Sequence, residues 1–309
     1  MVAGQQQLDF VTLDVFSQTP YEGNPLAVVL IPPGRDLPTD TLQTIAREFN
    51  LSETVFIYLN DDAAEPRWRI RIFTTASELP FAGHPTIGAA VHALGHLLLA
   101  SGGGPPRAVK GTFTCDAGPI EVDFDASTGV AQASIPHNVH LHAQPVTLDD
   151  VYALQPALRA AGVKPLAMRT VSPVRGMNFI CVELPDLETL AKLGTTGVAT
   201  LPRLDDEWDV GFSGSLFYVR TGEGEGAIRT RMIEGLLEDP ATGSASCGLG
   251  ALICLEAKVG GEFCITQGVE MGRRSDIGVK VTLSDDKASV SRIDLKGTAV
   301  HVMQGKLTY

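Results

Sequence analysis

The chain has 309 residues, 44% of them hydrophobic, with a mean hydropathy of +0.11; this fits a globular protein with a sizeable core and excludes a disordered one. With 36 acidic residues against 24 basic ones, the net charge is −12 and no basic run occurs, so a nucleic-acid partner is not expected. An anionic ligand would need a local attractive site working against that overall field.

In chain order, "GNPLAVVL" (Gly23–Leu30) reads as a strand opened by Asn24. "NLSETVFIYL" (Asn50–Leu59) is a second strand that carries one carboxylate, Glu53, where it enters the core. On composition alone, Glu53 could simply be a strand-end charge reaching back to water. "RWRIRIFT" alternates as a strand, a Pro/Gly turn follows, and "PTIGAAVHALGHLLLA" reads as a helix that is apolar on nearly every face. Such a helix must be buried on all sides. "ASGGGPPRA" (Ala100–Ala108) is expected to be a surface loop, and "PIEVDF" a strand. Further on, "SLFYVRT" and "GVKVTL" are strands, and "GSASCGLGALICLEA" is a second helix without a polar face.

The halves repeat. "RIRIFTTASELPFAGHPTIG" (Arg69–Gly88) aligns without a gap on "RTRMIEGLLEDPATGSASCG" (Arg229–Gly248), offset by 160, with six identities in twenty positions. Arg69, Arg71, Glu78, Pro80, Gly83 and Gly88 meet Arg229, Arg231, Glu238, Pro240, Gly243 and Gly248. "GMNFICVEL" (Gly176–Leu184) likewise matches "GNPLAVVL". The expected fold class is α+β: two homologous domains, each a curved, mostly antiparallel sheet wrapped around a central helix. Domain 1 is expected over 1–127 and domain 2 over 128–296, with a C-terminal strand near 297–309 returning to the first.

The turns "FAGHPTIGAA" and "DPATGSASCG" set Gly and small residues where a strand ends and a helix starts. A helix N-terminus offers unpaired N–H groups and a positive partial charge, so such a turn can hold a carboxylate or an oxyanion. Thr86, and Asp239 or Thr242, could equally be ordinary N-caps. Two repeat-related turns facing one cleft would clasp a small anionic metabolite between the domains.

"DVFSQTPYEGNPLAVVL", "NLSETVFI", "RIFTTASELPFAGHPTIGAA", "EDPATGSASCGLGA" and "QGVEMGRRS" occur in that order over nearly the whole chain, and together they resemble the phenazine-biosynthesis PhzF-like family. That family is similar in fold to diaminopimelate epimerase. The resemblance implies a cofactor-free isomerase of a small carboxylate-bearing metabolite, with the site in the cleft. Glu53 is implied as general base and acid, its pKa raised by partial burial; His84 and Asp239 are implied as its catalytic companions. Asn24, Ser52, Gly83, Gly243 and Ser244 are expected to contact substrate. Epimerase relatives place a cysteine at each turn. Neither turn has one here, and Cys247, about one helical turn further on, reads as a core residue, so two-thiol racemisation is disfavoured. A metabolite-binding protein without catalysis is the alternative from another class; a homodimer is an open expectation.

No metal and no cofactor are expected. His92 and His96 have i, i+4 spacing but lack the Glu of H-E-x-x-H and a third ligand, and "HNVHLH" (His137–His142) reads as an edge segment. "GEGEGA" (Gly222–Ala227) is an acidic turn that would repel phosphate, and no dinucleotide or P-loop motif occurs. Arg69, Arg71, Arg229 and Arg231 are expected to be solvated or to bridge the domains, with a substrate carboxylate as a weaker role for Arg231. The scattered cysteines Cys115, Cys181, Cys247, Cys254 and Cys264 fit free thiols in a reducing compartment. "MVAGQQQLDF" lacks the regions of a signal peptide and no apolar stretch is long enough to span a bilayer, so a cytoplasmic protein is expected.

Overall fold

The computed structural model describes residues 6–61, 65–98, 108–208, 210–224 and 226–309. The loop read at 100–107, the end of the first central helix at 99–100 and Glu225 of the acidic turn lie outside them. Two compact units emerge: Met1–Ser134 with Lys296–Tyr309, and Ile135–Leu295. The first runs on to Ser134 because strand Val130–Ser134 pairs antiparallel with Gly118–Asp125 and extends that unit's sheet past residue 127.

In the first unit, Gln7–Val15 lies antiparallel between Asn24–Ile31 and Ala299–Thr308. Asn24–Ile31 runs parallel to Glu53–Tyr58, with Leu26 opposite Glu53. Arg67–Phe73 returns antiparallel, and Ala108–Cys115 is parallel to it. Each parallel pairing needs a crossover. Helix Thr39–Phe49 makes the first, burying Leu42, Gln43, Ile45 and Ala46 and ending at Asn50 in the left-handed region, φ 52°.

The second crossover is the central helix Gly83–His92, and every one of its residues is buried, as an apolar surface all round requires. Gly88 makes the fit possible. A Cβ there would come within 2.4 Å of Leu26 Cδ2 and 2.8 Å of Val15 Cγ2. The helix widens into a π turn over Ala93–Leu98.

Strand alternation sorts the two faces of the sheet. Val29, Ile31, Phe56 and Phe73 pack with Leu42, Ile45 and Ala46 of the outer helix. Leu26 points the other way, into the central helix. Glu53, Val55 and Ile57 share one parity, opposite to Phe56, so Glu53 opens the strand on the central-helix face.

The second unit repeats this order. Met177–Glu183 is parallel to Phe212–Arg220; Ala227–Glu234 is antiparallel to that and parallel to Gly261–Gln267. The central helix Gly243–Ala257 buries Gly243, Ala245–Leu252 and Cys254. The register repeats too: Arg69 lies opposite Thr114, and Arg229 opposite Thr266. Helices Leu148–Leu154, Pro156–Ala160 and Leu187–Ala191 cover the outer face over Ile180, Val182 and Phe217. Each unit is thus a mostly antiparallel sheet with two parallel crossovers, one of them the buried helix. No helix among the described residues is long and apolar enough to cross a membrane.

Candidate active site

Glu53 is the first residue of its strand, and His84 is the second of the central helix, whose start lies at the same end of that face. His84 Nδ1 is 3.1 Å from Glu53 Oε2, and His84 Nε2 is 3.2 Å from the backbone oxygen of Asn24. A carbonyl oxygen only accepts, so Nε2 carries hydrogen and donates to Asn24. Nδ1 is therefore left to face Glu53 with a single shared proton between them. The pair is either a carboxyl donating to a neutral imidazole or a carboxylate accepting from an imidazolium. Asn24 and His84 are buried, whereas the Glu53 side chain keeps 20% exposure. Ser52 Oγ lies 3.4 Å from Asn24 Oδ1. The structure thus brings Asn24, Ser52, Glu53 and His84 together, with Gly83 adjoining.

The raised pKa expected for Glu53 is not what results. Burial does push it up, and is the largest single influence. The His84 hydrogen bond, the His84 charge and the Ser52 hydroxyl together outweigh burial and hold the carboxyl below its ordinary value.

In the second unit, Asp239 ends the short strand Leu237–Asp239, and Gly243 and Ser244 open the central helix, Ser244 at the place His84 has in the first. Thr242 Oγ1 donates to Asp239 Oδ2 at 2.6 Å. The N-cap reading fails at both turns. Thr86 Oγ1 donates back to the oxygen of Ala82 at 2.7 Å, Thr242 turns its hydroxyl to Asp239, and no side chain caps either helix. Neither N-cap residue, Ala82 or Thr242, thus supplies a side-chain acceptor to the first amides of its helix, which suits these helix starts to an anion.

Of the repeated arginines, Arg69 is exposed to solvent as expected, whereas Arg71, Arg229 and Arg231 are largely withdrawn from it in ion pairs. Arg71 grips Glu78 with two bonds of 2.6 Å, and Arg231 grips Glu238 at 2.7 and 2.8 Å. Arg231 is also buried, donating to the oxygens of Leu190 and Leu193, so it is committed to the fold rather than to a substrate carboxylate. Arg69 lies over the Tyr58 ring, and Arg229 pairs with Glu270. These ion pairs pin the turn that precedes each central helix.

Cys247 is buried in its helix, and burial pushes its thiol up to about 12, far from a usable thiolate. His92 contacts His301, Nδ1 to Nε2 at 2.9 Å, with His96 stacked on it, which makes the i, i+4 pair part of a packed histidine cluster. Among the described residues, only His140, His142 and Asp205 bring three potential ligand atoms within 4.8 Å of one another. There His142 Nδ1 accepts from the Asp205 amide at 3.0 Å. Its Nε2 must donate to Ser172 Oγ at 2.8 Å, because that hydroxyl's own proton goes to Asn178 Oδ1. Both nitrogens are committed, so a cation would have to displace two hydrogen bonds.

Sequence reasoning missed Thr242 and Gln267 as partners of Asp239; the signal was Gln267 at the end of an apolar strand in "QGVEMGRRS".

A family profile described as "Phenazine biosynthesis-like protein" matches residues 13–305. The chain is 36% identical to an uncharacterised isomerase of Mesorhizobium japonicum, over 98% of this chain and 99% of that one. It is 29% identical to trans-2,3-dihydro-3-hydroxyanthranilate isomerase of Pseudomonas fluorescens, over 97% and 99%. Its fold matches the crystal structure of the Bacillus anthracis PhzF-family protein with a TM-score of 0.77 at 21% identity, over 98% and 99%. The chain belongs to the phenazine biosynthesis-like family of isomerases.

Proposed function

We propose that the chain is a cofactor-independent isomerase that moves a proton from one carbon to another in a small carboxylate-bearing metabolite, with Glu53 as general base and then general acid. The observation that carries this reading is the Glu53–His84 pair, in which Asn24 fixes the imidazole proton at Nε2 and leaves one mobile proton between Oε2 and Nδ1. In the carboxylate form, Glu53 accepts a proton from a substrate carbon; the electron pair left behind relocates along the substrate's conjugated system; the proton captured by Glu53, or the one shared with His84, is returned to a second carbon. Composition and oxidation state are unchanged. A carboxyl held below its ordinary value by His84 and Ser52 is charged at neutral pH and starts as the base.

Each uncapped helix start, at Gly83 and at Gly243, is read as able to hold a carboxylate, and Ser244 and Asp239 as substrate contacts. The likeness to trans-2,3-dihydro-3-hydroxyanthranilate isomerase supports a carboxylated, proton-shifting substrate. The buried Cys247 thiol and the absence of cysteine from both turns count against a two-thiol racemase.

Turnover in D2O tests the reading. An isomerase of this kind places deuterium on the carbon that receives the proton, and Glu53→Gln abolishes that labelling. Tight binding across a panel of carboxylated metabolites with no label at carbon in the native protein would favour a binding protein instead.

A further inference from the structure

We infer that Gln267 is a positioning residue for the Asp239 carboxylate and acts through the Thr242 hydroxyl; the inference rests on the reading of Asp239 as a substrate-facing group. Gln267 ends strand Gly261–Gln267 and is fully buried. Its Nε2 lies 2.7 Å from the Asp239 backbone oxygen and 3.0 Å from Thr242 Oγ1. Its Oε1 lies 3.3 Å from the Thr242 amide and 3.3 Å from Thr230 Oγ1. Two donors and two acceptor sites are all that a primary amide has, and here all four are used.

The direction of this network is forced. Exchanging the amide's oxygen and nitrogen would set oxygen against the Asp239 carbonyl and N–H against the Thr242 N–H. With Nε2 as donor, Thr242 Oγ1 receives a hydrogen from Gln267, and its own single proton goes to Asp239 Oδ2 at 2.6 Å. The chain of donation therefore runs from Gln267 through Thr242 to a carboxylate, and it favours the charged form of Asp239. The backbone supports the same approach: Gly268 has φ +75°, and a Cβ on it would come within 2.6 Å of the Pro240 oxygen.

The first unit shows that the turn does not need this network merely to hold its shape. The shared strand register puts Cys115 at the place of Gln267, and the repeat puts Leu79 and Ala82 at the places of Asp239 and Thr242. There a backbone bond, Ala117 N–H to the Pro80 oxygen at 3.2 Å, fastens the equivalent turn. Among the described residues, the polar relay is found in the unit that has Asp239 at this place and not in the one that has Leu79.

Two experiments decide the assignment. The first is neutron diffraction on the exchanged wild-type protein. It is expected to show deuterons on both Nε2 positions of Gln267, aimed at the Asp239 oxygen and at Thr242 Oγ1, and a Thr242 deuteron aimed at Asp239; a reversed amide, or a hydroxyl deuteron directed elsewhere, overturns the inference. The second follows the side-chain carboxyl signal of Asp239 by carbon NMR against pH, assigned by its loss in Asp239→Asn. Thr242→Val and Gln267→Met are expected to raise the midpoint by about one unit, and Thr242→Ser to restore it. A folded Thr242→Val protein with an unmoved midpoint overturns the relay. If Gln267→Met does not fold, the neutron result on the native protein still decides the role of Gln267. The turnover of Asp239→Asn on trans-2,3-dihydro-3-hydroxyanthranilate tests the catalytic reading separately, because neither the deuteron positions nor the midpoint depend on it.

Discussion

Arg231 and Glu238 form a two-point ion pair, 2.7 and 2.8 Å, that repeats the pair of Arg71 and Glu78 found 160 residues earlier. In both units the pair ties the long strand to the short one that leads into the central helix. The copies differ in depth. The Arg231 side chain is 5% exposed and holds backbone oxygens as well; that of Arg71 is 11% exposed and adds a bond to Thr39.

This sets an order of stability. Arg231→Met leaves the largely buried Glu238 carboxylate, 11% exposed, without its partner and frees the oxygens of Leu190 and Leu193, at a cost of about 3–5 kcal/mol. Arg71→Met is expected to cost less, about 1–3 kcal/mol, because Glu78 can recover some water. Urea unfolding of both variants checks the ranking; equal losses would contradict it.

Glu53→Gln is expected to lower turnover at least about a hundredfold while leaving the thermal midpoint near that of the wild type. The fold survives because His84 Nδ1, its other nitrogen bonded to Asn24, can accept a hydrogen from the new amide. Steady-state rates on a confirmed substrate, with thermal unfolding alongside, make the comparison. A variant with near-native turnover would remove Glu53 from the mechanism.

Acid titration separates the buried His92 from the partly exposed Glu53. The His92 imidazole, buried against His301 and His96, is pushed down to about 3 from an ordinary 6.5. The unfolded chain therefore binds one more proton there between those values, and stability is full above about pH 6.5 and lost progressively as pH falls toward 3. Between pH 7 and 5 the loss at this site is about 2 kcal/mol. His92→Gln is expected to flatten that limb. Glu53, held below 4.5, acts lower: its contribution is present above about pH 4.5 and is lost as pH falls through its depressed value. Glu53→Gln should therefore alter the curve only at the acid end, as urea midpoints across pH 3–8 would show.

Thiol chemistry is expected to miss the site. Cys264 is exposed, whereas Cys181, Cys247 and Cys254 are buried. Alkylation of the native protein should mark Cys264 first and leave isomerisation within about twofold, since burial keeps the Cys247 thiol protonated. Inactivation that tracks modification of Cys247, measured by peptide mass mapping, would reopen thiol catalysis.

The repeat was legible because Pro80, Gly83 and Gly88 and their counterparts occupy places where backbone geometry leaves little choice, and both central helices were legible because they lack a polar face. The parallel crossovers were not. Nothing in "LAVVLI" or "TVFIYL" distinguishes a parallel from an antiparallel neighbour, and Leu26 meets Glu53 only through the intervening helix. The pairing of His84 with Glu53 was legible as shared membership of a site, but the commitment of Nε2 to a backbone oxygen was not, since backbone acceptors leave no mark in a sequence. For the same reason Arg231 looked available for a ligand when three of its contacts are backbone oxygens. The direction of the Glu53 shift depended on those local partners, and burial alone pointed the wrong way.

The pairing of Gln7–Val15 with Ala299–Thr308 has a consequence for synthesis. The sheet of the first unit is completed by a strand that is made only after the whole of Ile135–Leu295 has been made. Ile135–Leu295, by contrast, emerges as one continuous stretch. The usual order, in which the N-terminal domain matures first, is therefore inverted. The second unit can close while the first still waits with the strand Gln7–Val15 open along one edge, so that edge stays exposed to chaperones and to edge-to-edge association for as long as Ile135–Leu295 takes to be made.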